Sequence, residues 1–392
     1  MKRWFWLLVA VGLLARVVLA FAFRGADFDI DSFEIVQHAV RDDPLHVYGD
    51  VNHGFYRWPY PPLYFPWMAL AGWLHDTVGL RFDGWFQLPA CFADAGIAWL
   101  LWRLGELRGV GERTRLIVTA LVMFGPTFLM ISGYHGQIDA TAIFFALAAL
   151  LAWEEGGERR ALYAGLLIGV AGAVKIVPLV MLVPLVVRAR NRREVIALCV
   201  PAVAVFVVVL LPWLATDFSS TVDSLKNRGF PGLGGISLIL NPDLTDAALR
   251  GTTPTNTALI EWLNNNGWIV PFVSLCAATL FLWRRKPDPI VGSLIVWLVL
   301  MTMGINFALQ YAIWGLPFLL AAGRLRAAAL LQVLLLPAGI VFYLAPWQSS
   351  GAVVVYSACM IAVWLLLVGL LVREVLSARA TPSRSRSAAA AR

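Results

Sequence analysis

Charge is what this sequence has least of. Only 14% of its 392 residues are Asp, Glu, Lys or Arg, against roughly 25% in a soluble domain. That scarcity excludes an ordinary water-covered surface. Cysteine is almost absent as well: Cys91, Cys199, Cys276 and Cys359 lie far apart, each within an apolar run and none in a C-x-x-C spacing. They predict small apolar core residues and no disulfide framework or zinc site. A glycine-rich nucleotide fingerprint is missing, which argues against a bound nucleotide. No internal repeat relates the two halves, and that removes one sequence mark of a secondary transporter. The chain carries a net charge of +7, yet in so apolar a chain the basic residues report loop sidedness first. No nucleic-acid partner is expected.

Hydrophobic residues make up 60% of the chain, and the mean hydropathy is +0.74. Apolar runs of about 18 or more residues recur along nearly the whole length and read as membrane helices. The expected fold is all-α, a single polytopic membrane domain over residues 1–373 with a disordered basic tail over 374–392. The first span, about 4–23, is read as retained: it is long, contains Arg16, and has no small-x-small cleavage site before Arg24.

Eleven further spans are expected at about 85–104, 115–132, 138–153, 161–174, 176–188, 194–213, 268–283, 289–306, 311–323, 327–345 and 351–371. With about twelve helices, Arg103, Arg108, Arg113, Arg115, the cluster from Arg188 to Arg193, Arg284 and Arg285 all fall on the side of Lys2 and Arg3. That side is cytoplasmic by the positive-inside rule. The stretch 60–80 is long enough to cross, but it opens with Pro61, Pro62 and Pro66 and holds His75 and Asp76. It is assigned to the outer face, since a crossing there would put the arginines outside. The runs 161–174 and 176–188 are short for a bilayer roughly 30 Å thick, so tilted or half-length helices meeting near Lys175 are expected. Two large external segments follow, 24–84 and 214–267; the second is rich in turn formers (GFPGLGG, NPD, GTTPTNT) and is expected to lid the site.

Polar chemistry gathers on the outer face, where all five histidines and most aspartates fall. The first external segment opens with DFDIDSFEIVQ, in which Asp27, Asp29 and Asp31 alternate. Carboxylates there can bind a divalent cation such as Mg or Mn, act as a general base, or merely solvate the loop; beside a bilayer their cost favours a functional use. Phe33, Val36 and Val40 mark an amphipathic helix. SGYHGQIDA presents His135, Gln137 and Asp139 around a turn that Gly133 and Gly136 permit. Lys175 interrupts an apolar run, either snorkelling to the interface or meeting an anion. Arg57 is flanked by Tyr56 and Trp58, with Tyr60 near, a setting that suits sugar rings and phosphates and is equally an interfacial aromatic belt. INFALQYAIWGLP places Asn306, Gln310, Tyr311 and Trp314 at a late outer junction. Arg16 and Asp94, both deep in apolar sequence, are expected to pair.

The aspartate just after the first helix, its D-I-D-S-F-E-I-V context, Val47-Tyr48 and the later Y-P-P-L at Tyr60 to Leu63 resemble the first external loop of the GT-C superfamily of membrane glycosyltransferases. Within it the chain is most similar to bacterial mannosyltransferase-like members. The resemblance implies a polyprenyl-phosphate-linked sugar donor and transfer of a hexose, mannose first, to an extracytoplasmic lipid, glycan or protein acceptor, with inversion. It puts Asp29 at the catalytic position with Asp31 as its nearest rival. His135-Gly136-Gln137-Ile138-Asp139 is similar to a GQ-x-D turn that contacts sugar or phosphate, and Lys175 matches a basic residue that follows a glycine-rich helix. Arg57, Tyr60, Gln310 and Tyr311 complete the expected substrate-binding set, and Asp27, Asp29 and Asp31 the expected cation ligands. The site would face outward from the cell membrane. A polytopic lipid or sugar transporter or flippase is the alternative from another class.

Overall fold

The structure is a computed structural model that describes residues 2–52, 57–226, 231–241, 243–250, 257–344 and 349–380. Among them every regular element is helical. Helix α1 (Lys2–Ala22) leads into α2 (Asp27–Asp42), α3 (Val47–Val51) and, after a 3-10 turn at Pro62–Tyr64, α4 (Phe65–Val78). Next come α5 (Phe82–Leu107), α6 (Glu112–Met123), α7 (Pro126–Phe128) with a π-helical turn at Leu129–His135, α8 (Asp139–Glu155) and α9 (Arg160–Val174). A 3-10 stretch, Val177–Met181, precedes α10 (Leu182–Val187), followed by α11 (Arg192–Thr216), α12 (Phe218–Leu225), α13 (Ile236–Leu240), α14 (Asp243–Arg250) and α15 (Thr257–Asn266). The chain closes with α16 (Ile269–Arg285), α17 (Pro289–Met303), a 3-10 turn at Leu309–Tyr311, α18 (Ala312–Ala321), α19 (Leu325–Leu344) and α20 (Ser350–Ala380).

Among the described residues, five helices are long and apolar enough to cross a membrane: Lys2–Ala22, Glu112–His135, Arg192–Thr216, Leu325–Leu344 and Ser350–Ala378. A sixth is added if α15 and α16, bent by 46°, form one span. Each stretch expected to span coincides with helix, several of them shorter than a straight crossing needs. Arg160–Val174 and Val177–Val187 are two of these, and they meet at Lys175, whose extended backbone (φ −152°, ψ 131°) breaks the run.

One pole of the bundle is tied together by charged contacts between helix ends. Arg108 binds both Glu154 and Asp288, at 2.5 and 2.8 Å, Arg160 binds Glu194 at 2.6 Å, and Arg188 donates to the carbonyl of Lys286 at 3.1 Å. These contacts bring together the C-terminal ends of α5, α8, α10 and α16 and the N-terminal ends of α9, α11 and α17. The start of α1 joins them through Phe5, whose ring centroid is 4.8 Å from that of Trp102. The opposite ends of the same helices form the second pole, where α2 and α4 lie. Phe65, at the start of α4, packs on Trp213 near the end of α11 with centroids 5.5 Å apart, and Asp76, near its end, pairs with Arg41 of α2 at 2.7 Å. Both ends of α4 thus touch elements of one pole.

The amphipathic reading of α2 matches its burial: Ile30, Phe33, Val36 and Val40 turn inward. Arg16 and Asp94 meet at 2.7 Å, fully buried, and Arg16 also donates to the carbonyls of Gly12, Val122 and Met123. The segment 214–267 carries α12 to α15, because short amphipathic stretches between its turn formers can bury an apolar face. The tail is helical as far as Ala380, since α20 simply continues past Arg373; residues 381–392 of that tail, His53 and Tyr56, and parts of GFPGLGG, NPD and GTTPTNT lie outside the described residues.

Candidate active site

The second pole holds a cavity of about 890 Å³. Asp29, Arg57, Tyr60, His135, Lys175, Gln310 and Tyr311 line it, joined by Trp314, Phe342, Tyr343 and Tyr356. One flank is apolar, built from Ile176, Val177, Pro271, Leu300 and Met301.

Asp29 sits in the first turn of α2, where the helix dipole favours a carboxylate. The turn before it is shaped by Gly25, whose φ of +88° suits glycine. A Cβ at Gly25 would lie 2.5 Å from the carbonyl oxygen of Tyr134 and 2.8 Å from that of His135. The missing side chain lets the α1–α2 corner close on the π-helical turn, and the amide of Ala26 donates to the His135 carbonyl at 3.3 Å.

That closure brings His135 Nε2 to 2.6 Å from Asp29 Oδ2. Since a carboxylate only accepts, Nε2 donates, and the Tyr343 hydroxyl is the partner of Nδ1 on the other side. Asp29 is partly exposed to the cavity while His135 is buried. Burial alone would raise the Asp29 pKa. The hydrogen bond and charge of His135, the approach of Gln137 and the charge of Lys175 outweigh it and hold the carboxyl below its ordinary 3.8. Asp29 is therefore ionised at neutral pH.

A second cluster surrounds Lys175. Its Nζ lies 2.7 Å from Asp139 Oδ1, and the rings of Tyr60, Trp314 and Tyr311 stand 4.6, 5.5 and 5.7 Å away. Trp314 Nε1 also donates to Asp139. Burial first, then the charges of Asp139 and Asp29, raise the Tyr60 pKa well above 10.0, so its hydroxyl stays protonated.

Other expected residues fall elsewhere. Asp31 is exposed and bound to Arg24, with Glu34 nearby, and does not line the cavity. On a helix, residues two apart point to different faces, which separates Asp29 from Asp27 and Asp31 even though Asp27 touches the cavity. The three aspartates do not converge as hard ligands, and no group of three or more His, Cys, Asp or Glu suited to a metal occurs among the described residues. Gln137 and Asp139 are buried behind the cavity wall. Tyr343, Phe342 and Tyr356 were not anticipated; they sit in apolar runs, and only the presence of tyrosines toward helix ends could have marked them.

The model for glycosyltransferase family 87 matches residues 58–303, more than half of the chain. The chain belongs to glycosyltransferase family 87. No curated protein matches it. Family 87 membership makes it a membrane-helical transferase with a sugar donor and an acceptor. The family match encloses Tyr60, His135, Gln137, Asp139 and Lys175, while Asp29 and Arg57 precede it and Gln310, Tyr311 and Tyr343 follow it.

Proposed function

We propose that the protein is an inverting hexosyltransferase of GT-C type that takes its sugar, mannose first, from a polyprenyl-phosphate-linked donor. The acceptor is an extracytoplasmic lipid, glycan or protein. The chain crosses the cell membrane about twelve times, α9 and the 177–187 segment forming one short pair, with the arginine-rich pole cytoplasmic and the cavity outward. The observation that carries this reading is the ionised Asp29, oriented by His135, on the wall of a cavity that also holds cations, aromatic faces and an apolar flank.

In this scheme the isoprenoid lies along the apolar flank, and the phosphate is held by Lys175 or Arg57. Asp29 accepts the proton of the acceptor hydroxyl. The acceptor oxygen forms a bond to the anomeric carbon as the carbon–oxygen bond to phosphate breaks, and the electron pair departs with polyprenyl phosphate. One displacement inverts the centre, and one base suffices. The phosphate charge is balanced by protein cations, so the scheme places no step on a divalent cation.

The test is incubation of the purified protein in lipid with polyprenyl-phosphate-mannose and, separately, the glucose and arabinose equivalents, scoring released polyprenyl phosphate in the presence of candidate acceptors. Release that depends on acceptor and on Asp29 supports the reading. Movement of intact lipid-linked sugar across the bilayer without release would favour a flippase instead.

A further inference from the structure

Among the described residues two cations, Arg57 and Lys175, line the cavity, and we infer that Arg57, not Lys175, holds the donor phosphate; the inference rests on the glycosyl-transfer reading above. The family resemblance points to Lys175. Its ammonium, however, is already engaged by the protein. Asp139 lies 2.7 Å away and is itself fully buried, and three aromatic faces close around Nζ. An anion drawn to Lys175 would have to compete with that carboxylate, and splitting a buried pair leaves an uncompensated charge, which is costly.

Arg57 is in the opposite state. It is half-buried in the cavity wall, and the only side-chain bond its guanidinium makes among the described residues is from Nη1 to the neutral Ser32 Oγ, at 3.3 Å. No carboxylate among them lies at ion-pair distance. Its backbone is nonetheless held: the amides of Arg57 and Trp58 donate to Asn52 Oδ1 at 2.8 and 3.3 Å, and Asn52 Nδ2 donates to Ser224 Oγ of α12 at 2.5 Å. A fixed stem therefore carries a planar fork of donors that suits two phosphate oxygens. Ser32 follows Asp29 by one turn of α2, a spacing of about 5–6 Å between Cβ atoms. The group that holds the phosphate and the base that takes the acceptor's proton can then serve one anomeric carbon from neighbouring positions. Lys175 and Asp139 become a neutral strut, fixing Tyr60, Tyr311 and Trp314 as an aromatic wall for the sugar; Tyr311 and Trp314 are stacked at 4.1 Å.

The deciding measurement is the phosphate preference, the ratio of Kd for polyprenol to Kd for polyprenyl phosphate, measured on the full chain in lipid nanodiscs. Wild type is expected to favour the phosphate. Arg57→Gln should reduce that preference by roughly ten- to a hundred-fold, the scale of hydrogen bonds to a charged group, and Arg57→Lys should restore part of it. The charge-conserving double substitution Lys175→Gln with Asp139→Asn should keep the preference within about three-fold. Thermal melts establish that each variant folds, and if the double variant does not, the Arg57→Gln ratio decides alone. A wild-type preference that survives Arg57→Gln, or is lost in a folded double variant, overturns the inference and leaves the donor reading standing. No preference in wild type overturns both.

Discussion

Asp29 and His135, 106 residues apart in sequence, meet at 2.6 Å, and Tyr343 closes the far side of the imidazole. The contact joins the helix after the first span to the turn before α8 and to the end of α19. It orients one oxygen of the carboxylate.

Asp29→Asn keeps the shape and removes the base. Transfer should fall on the order of 100- to 10,000-fold, the usual share of general acid–base catalysis, with yield and melting temperature close to wild type. Near-normal turnover in this variant would remove Asp29 from the mechanism.

His135→Gln should move the pH profile. His135 holds the Asp29 pKa down, so its loss raises that pKa, and the acid limb of kcat/KM shifts to higher pH. Tyr343→Phe should give a smaller shift in the same direction, because it loosens the imidazole without removing it. An unmoved acid limb in both variants would mean that Asp29 does not depend on His135.

Stability follows the same shift with a definite sign. A carboxyl whose folded pKa lies below 3.8 stabilises the fold fully above that value and loses its contribution as pH falls through the folded pKa. The melting-temperature advantage of wild type over Asp29→Asn should be present at pH 6 and shrink below pH about 3.8. An advantage that grows on acidification would contradict the assignment.

Gly25→Ala and Gly79→Ala test the corner that closes the site. Both glycines have positive φ, +88° and +77°, but a Cβ at Gly25 meets two carbonyls while one at Gly79 meets nothing within 4 Å. Gly79→Ala should cost only backbone strain, roughly 1–3 kcal/mol. Gly25→Ala should cost more and also lower transfer by displacing Asp29 from His135. Equal effects on activity would show that the corner does not position the base.

Arg16 and Asp94 should behave as a unit. Removing either alone leaves a buried unpaired charge and should cost about 3–5 kcal/mol, whereas Arg16→Met with Asp94→Leu should recover part of that loss. Were the double variant no better folded than either single one, the two residues would not be coupled.

Much of the architecture was legible because the bilayer writes itself into sequence. A span has to be a helix of apolar residues with its backbone bonded internally, so helices from Lys2–Ala22 to α20 lie where runs of Leu, Val and Ala recur. The alternation of arginine clusters with polar turns separated the two poles, and the isolated charges Arg16 and Asp94 had little choice but each other. Inside 214–267 the reading was poorer, since helices as short as Ile236–Leu240 carry too few turns to establish a period.

By itself, then, the sequence determined the fold class, the two poles and the list of polar residues near the site, because membrane burial taxes each charge wherever it occurs. Composition alone could not rank Asp29 over Asp31, which differ by two positions; the family resemblance put Asp29 first. What packing adds is their surroundings: the rotation of α2 and Gly25 turn Asp29 to His135 and leave Asp31 to Arg24. Nor could the sequence tell a paired cation from an open one. Whether Lys175 or Arg57 has a carboxylate beside it depends on which helix ends meet, and only packing across the bundle brings Asp139 to Lys175 and leaves Arg57 beside Ser32.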